Sequence, residues 1–375
     1  MVQRRIGIFS QLVPPKAAWT AENVPDQTGK VAIITCGHEG VGKETARVLL
    51  SKGARVYIAS SDPERAHAMI DELKGYTEKD PIFFLMLDLA NLTSIKTAAE
   101  EFLRNETELH MLYNNGGIMV APSEKITEQG YDLVFGTNVL GHFYLTKLLL
   151  PVLTATAKKL PAGTVRVVNA TSVAHYLAAK EGIRFSTLGP GSEGDAFGVA
   201  RRRLGMARVY GQSKLGNILF SNELAKRYKN DGIVSISHFP GAVNADLQGY
   251  AGSFMQRLWR LTGTIICFIL AGGDWEGLAE EALDDKRHLN AGAIRDEAGR
   301  NVERRARQRV EPLLDAQPRL PNPGQPDLPH PDEPLESTEP TKVYHRAITS
   351  LYAGTALEAG KLSGKVGVSS LPNCS

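Results

Sequence analysis

Short apolar runs alternate with amphipathic stretches through the first 240 residues of the chain. The apolar runs are predicted as strands: Lys30–Thr35, Ala54–Ser60, Ile82–Leu87, Leu109–Tyr113, Val165–Val168 and Ile233–His238. They show no polar–apolar alternation, which is typical of parallel strands buried on both faces. Helices are predicted between them, such as Ser94–Leu103 and Gly141–Leu150, the latter ended by Pro151 because proline removes a helical hydrogen bond. The pattern predicts an α/β fold, a doubly wound parallel sheet with helices on both faces.

Two stretches break this pattern. Residues 178–205 are polar and glycine-rich, and we predict that they loop over the edge of the sheet. Residues 263–342 are charged and helix-prone from about residue 272 and then carry eight prolines between Pro318 and Pro340. Such a segment cannot bury enough apolar surface, so it is predicted to be extended or partly disordered. It is interpreted as an irregular insertion in the substrate-side region of a single domain, or as a fault in the assembly of the coding sequence.

The predicted organisation has four parts. An N-terminal arm covers 1–27, and the main domain covers 28–262. The insertion at 263–342 follows, and 343–375 returns to the main domain with a short tail. An arginine-rich stretch within the insertion, at 303–309, is interpreted as a solvated helix face rather than a site for an acidic partner.

Composition and charge exclude several classes of protein. A chain of 375 residues with 42% hydrophobic and 22% charged residues is ordinary for a globular protein with a sizeable core. A formal net charge of +2 does not favour nucleic acid or a membrane surface as a partner. Cys36, Cys267 and Cys374 lie far apart, so neither a disulfide framework nor a metal site is predicted. A reducing, cytoplasmic compartment fits this usage best.

No transmembrane segment is predicted. The basic and apolar N-terminus has too short an apolar stretch for a secretory signal, and packing along the domain is favoured over peripheral contact with a membrane. The apolar run at 264–271 is about half as long as a spanning helix, so it is predicted as a core helix or a lid over an apolar cleft.

The first predicted strand runs directly into a glycine-rich turn, Cys36-Gly37-His-Glu-Gly40-Val-Gly42, which a helical pattern follows. Glycines at such a turn let backbone amides approach a phosphate, and the helix N-terminus adds partial positive charge. A glycine-rich turn without a ligand is the alternative, because a lone glycine cluster is a weak signal. The strand–turn–helix context favours a dinucleotide site.

Tyr210 and Lys214 lie four residues apart, which places both on one face of a helix. A fixed ammonium beside a phenol stabilises the phenolate and lowers the pKa of the phenol. Such a pair can pass a proton to or from a substrate oxygen near neutral pH. The spacing alone is common on surface helices, so the upstream context decides its interpretation.

These segments together resemble the short-chain dehydrogenase/reductase family, in particular its retinol-dehydrogenase-like and fungal oxidoreductase members. The family's motifs are matched in order by Thr35–Gly42, Leu87–Leu89, Asn114–Gly117, Gly136–Phe143, Val167–Ser172, Tyr210–Lys214 and Pro240–Gly241. The resemblance covers roughly residues 28–260 and again about 343–366. It implies a Rossmann-like domain with a nicotinamide cofactor that donates or accepts a hydride.

The resemblance also implies catalytic roles. Tyr210 is the expected acid in carbonyl reduction and the base in alcohol oxidation, with Lys214 lowering its pKa and binding the nicotinamide ribose. Ser172 is expected to hold the substrate oxygen. Asn138 is expected to hold a water beside Lys214, a role compatible with capping or kinking a helix. The expected cofactor contacts are Thr35, Gly37, Gly40, Val41, Gly42, Ser60, Asp88, Leu89, Asn115, Gly116, Lys214, Pro240, Gly241 and Val243.

Three departures from the family pattern bear on the cofactor. Cys36 replaces a glycine and is expected to crowd the turn if the position needs a positive φ or close helix packing. Gly116 replaces an alanine, and Ala245 stands where a threonine often contacts the cofactor. Each suggests weaker cofactor binding. Cys36 and Ala245, together with the insertion and the short tail, motivate the alternative that the protein is a dinucleotide-binding sensor or scaffold with little turnover.

The cofactor is predicted to be NADP(H) rather than NAD(H). The second strand ends in Ser60-Ser61, without the carboxylate that would pair with ribose hydroxyls and repel a 2′-phosphate. His38, Lys43 and Arg65 are expected nearby. Both the resemblance and the apolar run at 264–271 suggest a small apolar carbonyl or alcohol as substrate, whereas the oligomeric state does not follow from the sequence.

Overall fold

The computed structural model describes residues 19–74, 81–119, 121–189, 196–241, 350–356 and 366–367. Within these ranges seven parallel strands form one sheet: β1 Val31–Thr35, β2 Arg55–Ser60, β3 Ile82–Met86, β4 Met111–Asn114, β5 Val165–Ala170, β6 Ile233–His238 and the two-residue β7 Val366–Gly367. Their order across the sheet is β3-β2-β1-β4-β5-β6-β7. The direction of winding reverses between β1 and β4, so the carboxyl ends of these strands flank the crevice where doubly wound sheets bind ligands.

The helices cover both faces of this sheet. Their bounds are α1 Gly40–Ser51, α2 Pro63–Lys74, α3 Leu92–Asn105, α4 Leu133–Ala157, α5 Ala196–Leu204 and α6 Met206–Arg227, and residues 350–355 are also helical. One hydrophobic cluster joins α1, α2 and the 350–356 segment to the sheet, for example through Leu49, Ile70 and Leu351. The other joins α3, α4 and α6 to it, for example through Ile95 and Leu149. The predicted Rossmann-like doubly wound sheet is confirmed.

Burial on both faces explains why the strands read as continuous apolar runs. Every residue of β1, β5 and β6 is buried, and in β2 only Arg55 is exposed. A strand covered by helices on each side has no solvent-facing face to mark with polar residues.

The predicted end of a helix at Leu150 is wrong, because α4 continues through Pro151 to Ala157. Proline removes the hydrogen bond that its own nitrogen would donate to the carbonyl four residues earlier, at Lys147. Pro151 and Lys147 are both exposed, so the lost bond lies on the solvent side. On the opposite side Leu149 and Leu153 are fully buried and hold the helix across the proline.

Within the described residues, α4 is the one helix whose length and hydropathy would suffice to cross a membrane. Half of that apolar window is buried inside the protein. Leu145 and Leu149 pack in the same hydrophobic cluster as residues of α3, as expected for a core helix. The length and apolar composition of α4 are therefore weak support for a membrane span.

Of the polar stretch at 178–205 that is predicted to be a loop, the described residues 178–189 and 196–205 contain helical structure. It contains a 3-10 turn, Phe185–Thr187, and the helix α5. Arg201 is buried: its Nε donates to the carbonyl of Ser123 and its Nη1 donates to the carbonyl of Thr187, 3.3 Å away. The Asp132 carboxylate lies 3.8 Å from the same guanidinium. The buried charge of Arg201 therefore fixes a segment whose polar composition suggested that it faces solvent.

Several predictions concern residues outside the described ranges: the arm at 1–18, the insertion at 263–342, Val243, Ala245, Cys267 and Cys374. The last part of the arm is described, and there the Trp19 ring packs edge-on against Tyr352 with centroids 5.5 Å apart. Ala21 and Val24 belong to the same hydrophobic cluster as Leu351.

Candidate active site

The turn between β1 and α1 lies at the carboxyl edge of the sheet. A Cβ on Gly42 would lie 2.9 Å from the Cα of Gly37 and 2.9 Å from Nδ2 of Asn115, so only glycine fits there. Gly40, with a φ of 52°, begins α1, and Val41 is buried behind it. Backbone amides at a helix N-terminus favour a phosphate, so this turn fits the pyrophosphate of a dinucleotide.

Cys36 has a positive φ, and this is the condition under which its side chain is expected to crowd the glycine-rich turn. Its φ is 48°, and among the described residues it is the one position other than glycine with a positive φ. Its Sγ lies 2.7 Å from the point that a Cβ on Gly116 would occupy. Burial raises the pKa of the Cys36 thiol to about 11, so the thiol is protonated at neutral pH and acts by its volume.

Arg65, in the first turn of α2, lies between two carboxylates beside the end of β2. The Asp62 amide donates to Ser60 Oγ at 3.0 Å, which holds the turn that follows the strand. The Arg65 guanidinium lies 3.4 Å from Asp62 and 3.7 Å from Glu39, and all three side chains are exposed. Lys43, which was expected near this site, instead pairs with Glu72 of α2 at 2.6 Å.

Asp88 and Leu89 follow β3 on the same edge of the sheet. The Asp88 carboxylate accepts a hydrogen bond from the Ala90 amide at 2.8 Å, and the Asp88 amide donates to Ser94 Oγ at 2.9 Å. Leu89 is buried and packs its backbone against Gly141 of α4. Asp88 thus caps its own turn, and contact of these residues with an adenine stays a prediction.

Thr35 ties the β1 turn to the loop after β4. Its hydroxyl accepts hydrogen bonds from the amides of Asn115, at 2.9 Å, and Gly116, at 2.8 Å. The Asn115 side chain donates back to the Thr35 carbonyl at 3.1 Å. The Thr35 hydroxyl therefore holds the loop that lines the crevice, and its hydrogen bonds are made within the protein.

Asn138 lies in a π-helical turn, Gly136–Gly141, inside α4. Such a turn contains one residue more than an α-helical turn and is frequent at functional sites. The Asn138 side chain accepts from the Ile118 amide at 2.8 Å and donates to the Ile118 carbonyl at 2.9 Å. It also donates to Ser213 Oγ at 3.0 Å, so it joins the β4 loop to α6.

Ser172, Tyr210 and Lys214 come together where β5 ends against α6. Ser172 follows β5, and its Oγ accepts from the Ala174 amide at 3.2 Å. Tyr210 and Lys214 are both buried, and Lys214 Nζ lies 5.6 Å from the centre of the Tyr210 ring. Lys214 Nζ donates to the carbonyl of Ala170 at 3.2 Å. The ammonium thus faces the ring and the end of β5.

The pKa of Tyr210 is shifted in the direction opposite to that predicted from its spacing to Lys214. Burial raises the pKa of Tyr210 to about 12, and the hydrogen bond with Ser172 only partly offsets it. Burial lowers the pKa of Lys214 to about 8. Desolvation outweighs attraction because both groups are almost fully buried. The phenol of Tyr210 is therefore neutral and able to donate a proton at physiological pH.

A cavity of about 410 Å³ lies beside this group. Its apolar wall comes from the β4 loop, α4 and α6, through Met119, Val134, Met206 and Val209. The Arg201–Asp132 pair lies in the same lining: Arg201 comes from α5, and Asp132 directly precedes α4. None of Ser172, Tyr210 and Lys214 lines the cavity itself, but the lining residue Val209 and Tyr210 belong to one hydrophobic cluster.

Pro240 and Gly241 follow β6, with Gly241 at a φ of 95°. The last residue of β6, His238, pairs with Ala170 of β5, so this turn emerges next to the site of Lys214. Val243, the remaining predicted contact here, lies outside the described residues.

Two polar residues of the site were not predicted from the sequence. Ser213 accepts from Asn138, and its hydroxyl donates to the Tyr210 carbonyl at 2.8 Å. His142 contacts Thr35 on one side and the Asn138 carbonyl on the other. The signal for His142 was its spacing of four residues from Asn138, which places both on one helix face.

Comparison with known proteins agrees with this geometry. The sequence model described as short chain dehydrogenase matches residues 30–187. A short-chain dehydrogenase/reductase of Armillaria gallica is 45% identical over 251 residues, which cover 67% of this chain and 77% of that protein. Retinol dehydrogenase 11 of Mus musculus is 42% identical over 233 residues, covering 62% of this chain and 67% of that protein.

Among solved structures, the RhlG/NADP active-site complex of Pseudomonas aeruginosa is 26% identical to this chain. The match covers 60% of this chain and 76% of that one, with a TM-score of 0.46.

Proposed function

This chain belongs to the short-chain dehydrogenase/reductase family, and from that premise we propose that it reduces a carbonyl group on a small apolar substrate with NADP(H), with Tyr210 as the proton donor. Members of the family are oxidoreductases that use NAD(P). The observation that carries the finer proposal is the half-buried Ser172 with the buried Tyr210 and Lys214, beside a mainly apolar cavity.

Each residue of this group has a separate task in the proposed reaction. Tyr210 donates its proton to the carbonyl oxygen, since its phenol is neutral with a pKa of about 12. Ser172 donates a hydrogen bond to the same oxygen and stabilises its developing negative charge. Lys214 keeps a positive charge next to the Tyr210 ring and stabilises the phenolate that the proton transfer leaves.

The cofactor is proposed to bind along the carboxyl edge of β1, β2 and β4. The turn that contains Gly37, Gly40 and Gly42 would hold the pyrophosphate, and the Asn115–Gly116 loop would hold the nicotinamide ribose. The cofactor supplies the hydride, and the protein supplies placement and charge.

NADP(H) is proposed over NAD(H) on account of the β2 end. Ser60 and Ser61 leave the strand end without a carboxylate, and Arg65 is within reach as a bidentate partner for a 2′-phosphate. Asp62 and Glu39 currently share Arg65. A 2′-phosphate would compete with these two carboxylates for the same guanidinium.

The cavity supports an apolar substrate. Met119, Met206, Val134 and Val209 provide an adaptable apolar wall, because methionine side chains fit irregular shapes. A volume of about 410 Å³ suits a small molecule rather than a polymer.

The test begins with cofactor titrations of the purified protein, following the fluorescence of NADPH and of NADH, and continues with a panel of apolar aldehydes and ketones. We expect tighter binding of NADPH and substrate-dependent oxidation of it. Tyr210→Phe should lower kcat by about 100-fold or more, because general acid catalysis is typically worth that much, and should leave NADPH binding unchanged. Tyr176→Phe, at an exposed tyrosine in the turn after Ser172, is the matched control.

The outcomes separate the two candidate functions. Binding of NADPH without oxidation of it by any substrate of the panel would favour a dinucleotide-binding sensor or scaffold, which the strained Cys36 position motivates. Turnover that survives in Tyr210→Phe would remove the phenol from the mechanism.

A further inference from the structure

His142 is a fully buried histidine that the proposed chemistry does not use. Its ring lies between the two halves of the site: Nε2 is 2.9 Å from Thr35 Oγ1, and Nδ1 is 2.9 Å from the Asn138 carbonyl oxygen. Burial lowers the pKa of His142 to about 4, so the ring is neutral at physiological pH.

Only one arrangement of protons satisfies all of these contacts. A carbonyl oxygen can only accept, so Nδ1 carries the hydrogen and donates it to Asn138. Nε2 is then an acceptor, and it accepts from the Thr35 hydroxyl. The two lone pairs of that hydroxyl accept the amides of Asn115 and Gly116, so every group is used once. The other acceptor near the Thr35 hydroxyl, the Tyr113 carbonyl, is farther away at 3.4 Å.

The ring also takes the place of a backbone hydrogen bond. In an α-helix the amide of His142 would donate to the Asn138 carbonyl, four residues earlier. Here that amide donates to Val139 instead, and the ring Nδ1 of the same residue occupies the Asn138 carbonyl. The side chain therefore gives the Asn138 carbonyl a donor in place of the amide that an α-helical turn would supply.

The π-turn in turn sets the direction of the Asn138 side chain. From this turn the side chain reaches Ser213 Oγ at 3.0 Å, and Ser213 donates to the Tyr210 carbonyl at 2.8 Å. A return to α-helical bonding would change the rotation of Asn138 about the helix axis and break the contact with Ser213.

We propose that His142 is a positioning residue for the reaction: its Nδ1 side holds Asn138 in register with Ser213 and Tyr210, and its Nε2 side holds the Thr35 hydroxyl that carries the Asn115–Gly116 loop. The two nitrogens therefore serve different parts of the site, the acid–base group and the cofactor wall. The inference rests on the proposed function, since it assigns a role within the same site.

Two substitutions separate the two nitrogens. The amide nitrogen of asparagine reaches about as far as Nδ1, so His142→Asn keeps the donor to Asn138 and loses the contact with Thr35. The amide oxygen of glutamine reaches about as far as Nε2, so His142→Gln keeps the acceptor for Thr35 and loses the donor to Asn138. Thr146→Val is the matched control, because Thr146 makes buried hydrogen bonds to the His142 carbonyl and to Asn114 one turn further along α4.

The expected result is a split between kcat and KM. His142→Gln should lower kcat by about 10- to 100-fold with the KM for NADPH unchanged, because misplacement of a catalytic group by about 1 Å can cost about 100-fold. His142→Asn should raise the KM for NADPH severalfold and keep kcat. Thr146→Val should lower thermal stability and leave both constants unchanged. If kcat fell and the KM for NADPH rose in both variants, each in step with the loss of thermal stability, the proposal would be overturned.

A readout independent of turnover keeps the inference separate from the proposed function. Nitrogen-15 NMR of the wild-type protein should show His142 as the Nδ1–H tautomer, without titration between pH 5.5 and 8, values chosen to bracket the ordinary histidine pKa of about 6.5. A crystal structure of His142→Gln should show an Asn138–Ser213 distance longer than the present 3.0 Å. The Nε2–H tautomer, or an unchanged distance, would refute the positioning role, whereas absence of turnover in the wild type would refute only the proposed function.

Discussion

At the scale of single residues, Cys36 and Gly116 occupy one small volume between them. Cys36 holds a positive φ of 48°, which is uncommon for any residue other than glycine. A Cβ on Gly116 would lie 2.7 Å from Cys36 Sγ, 3.0 Å from a methyl group of Leu89 and 3.2 Å from Thr35 Oγ1. The absence of a side chain at 116 therefore makes room for the thiol at 36, so the two departures noted in the sequence compensate each other.

A double-mutant cycle tests this compensation. Gly116→Ala alone should destabilise the protein by about 1–3 kcal/mol, the usual cost of overpacking, and should weaken NADPH binding. Cys36→Gly alone should relieve the left-handed backbone and tighten NADPH binding. In the double variant the alanine should be tolerated, so the coupling free energy should be at least about 1 kcal/mol.

The cycle requires urea unfolding and NADPH titration of all four proteins. Additive effects of the two substitutions would show that the two positions are independent. Weaker NADPH binding in Cys36→Gly would show that the turn is adapted to its cysteine.

At the scale of elements, the strands were the best predicted part of the fold. β6 matches its predicted range, and the other five predicted strands differ by one or two residues at one end or, for β4, at both ends. This agreement follows because a strand buried on both faces contains apolar residues at nearly every position. The helix through Pro151 was missed because local sequence does not reveal that the proline faces solvent. The order around Arg201 was missed because its partners lie far away in sequence, at Ser123 and Asp132.

In the candidate site too, local sequence did not reveal contacts between residues that lie far apart in the chain. Tyr210, Lys214 and the glycines were recognisable as local motifs with a known order along the chain. The reversed pKa shift of Tyr210 was not, because it follows from burial that only the assembled fold produces. Ser213 and His142 were missed for the same reason, since their partners lie on other elements.

The first turn of α2, beside the end of β2, carries the prediction about the cofactor. Arg65→Gln should weaken NADPH binding by about tenfold, because one charge-assisted pair with a phosphate is worth roughly 1.4 kcal/mol, and should change NADH binding little. The dissociation constants of both cofactors are measured by fluorescence titration at low salt.

Lys43→Gln is the matched control, because Lys43 pairs with Glu72 of α2 rather than with the end of β2. An equal loss of NADH and NADPH affinity in Arg65→Gln would place the guanidinium away from the 2′-position. A loss in Lys43→Gln would show that Lys43 leaves Glu72 when the cofactor binds.

At the scale of the whole molecule, the 350–356 segment joins the sheet through contacts with three separate strands. Arg166 of β5 donates to the Ala353 carbonyl at 3.0 Å, and Gly354 packs directly on the Tyr113 hydroxyl of β4. His238 of β6 pairs with Ser350 at 3.1 Å. These buried polar contacts fix the position of a segment more than 100 residues away in sequence, and one of them involves His238, whose pKa is lowered by burial.

That histidine belongs to a set that makes folding depend on pH. Burial lowers the pKa of five histidines below the ordinary value of 6.5: His38, His110, His142, His175 and His238. For His142 the pKa falls to about 4, and for His238 to about 3. Below pH 6.5 the unfolded chain binds protons that the folded protein does not, so the free energy of unfolding falls as the pH falls.

Asp132 acts in the opposite direction. Burial raises the pKa of Asp132 to about 6, so the folded protein takes up this proton before the unfolded chain does and gains stability as the pH falls towards 4. One carboxyl group opposes five imidazoles, so the histidines determine whether the free energy of unfolding rises or falls with pH.

Urea unfolding between pH 7.5 and 4.5 should show a continuous fall in the free energy of unfolding that begins near 6.5, the ordinary histidine pKa. A tenfold difference in proton affinity between the folded and the unfolded chain corresponds to about 1.4 kcal/mol, so His142 alone contributes on the order of 3 kcal/mol by the time the pH reaches its folded pKa.

His142→Asn should make the fall of the free energy of unfolding with pH shallower, because one of the five imidazoles is gone. Asp132→Asn should make it steeper between pH 6 and 4, because the opposing carboxyl group is gone. A free energy of unfolding that stays constant from pH 6.5 to 4.5 would mean that the buried histidines take up protons in the folded state, and the single-tautomer arrangement of His142 would fall with it.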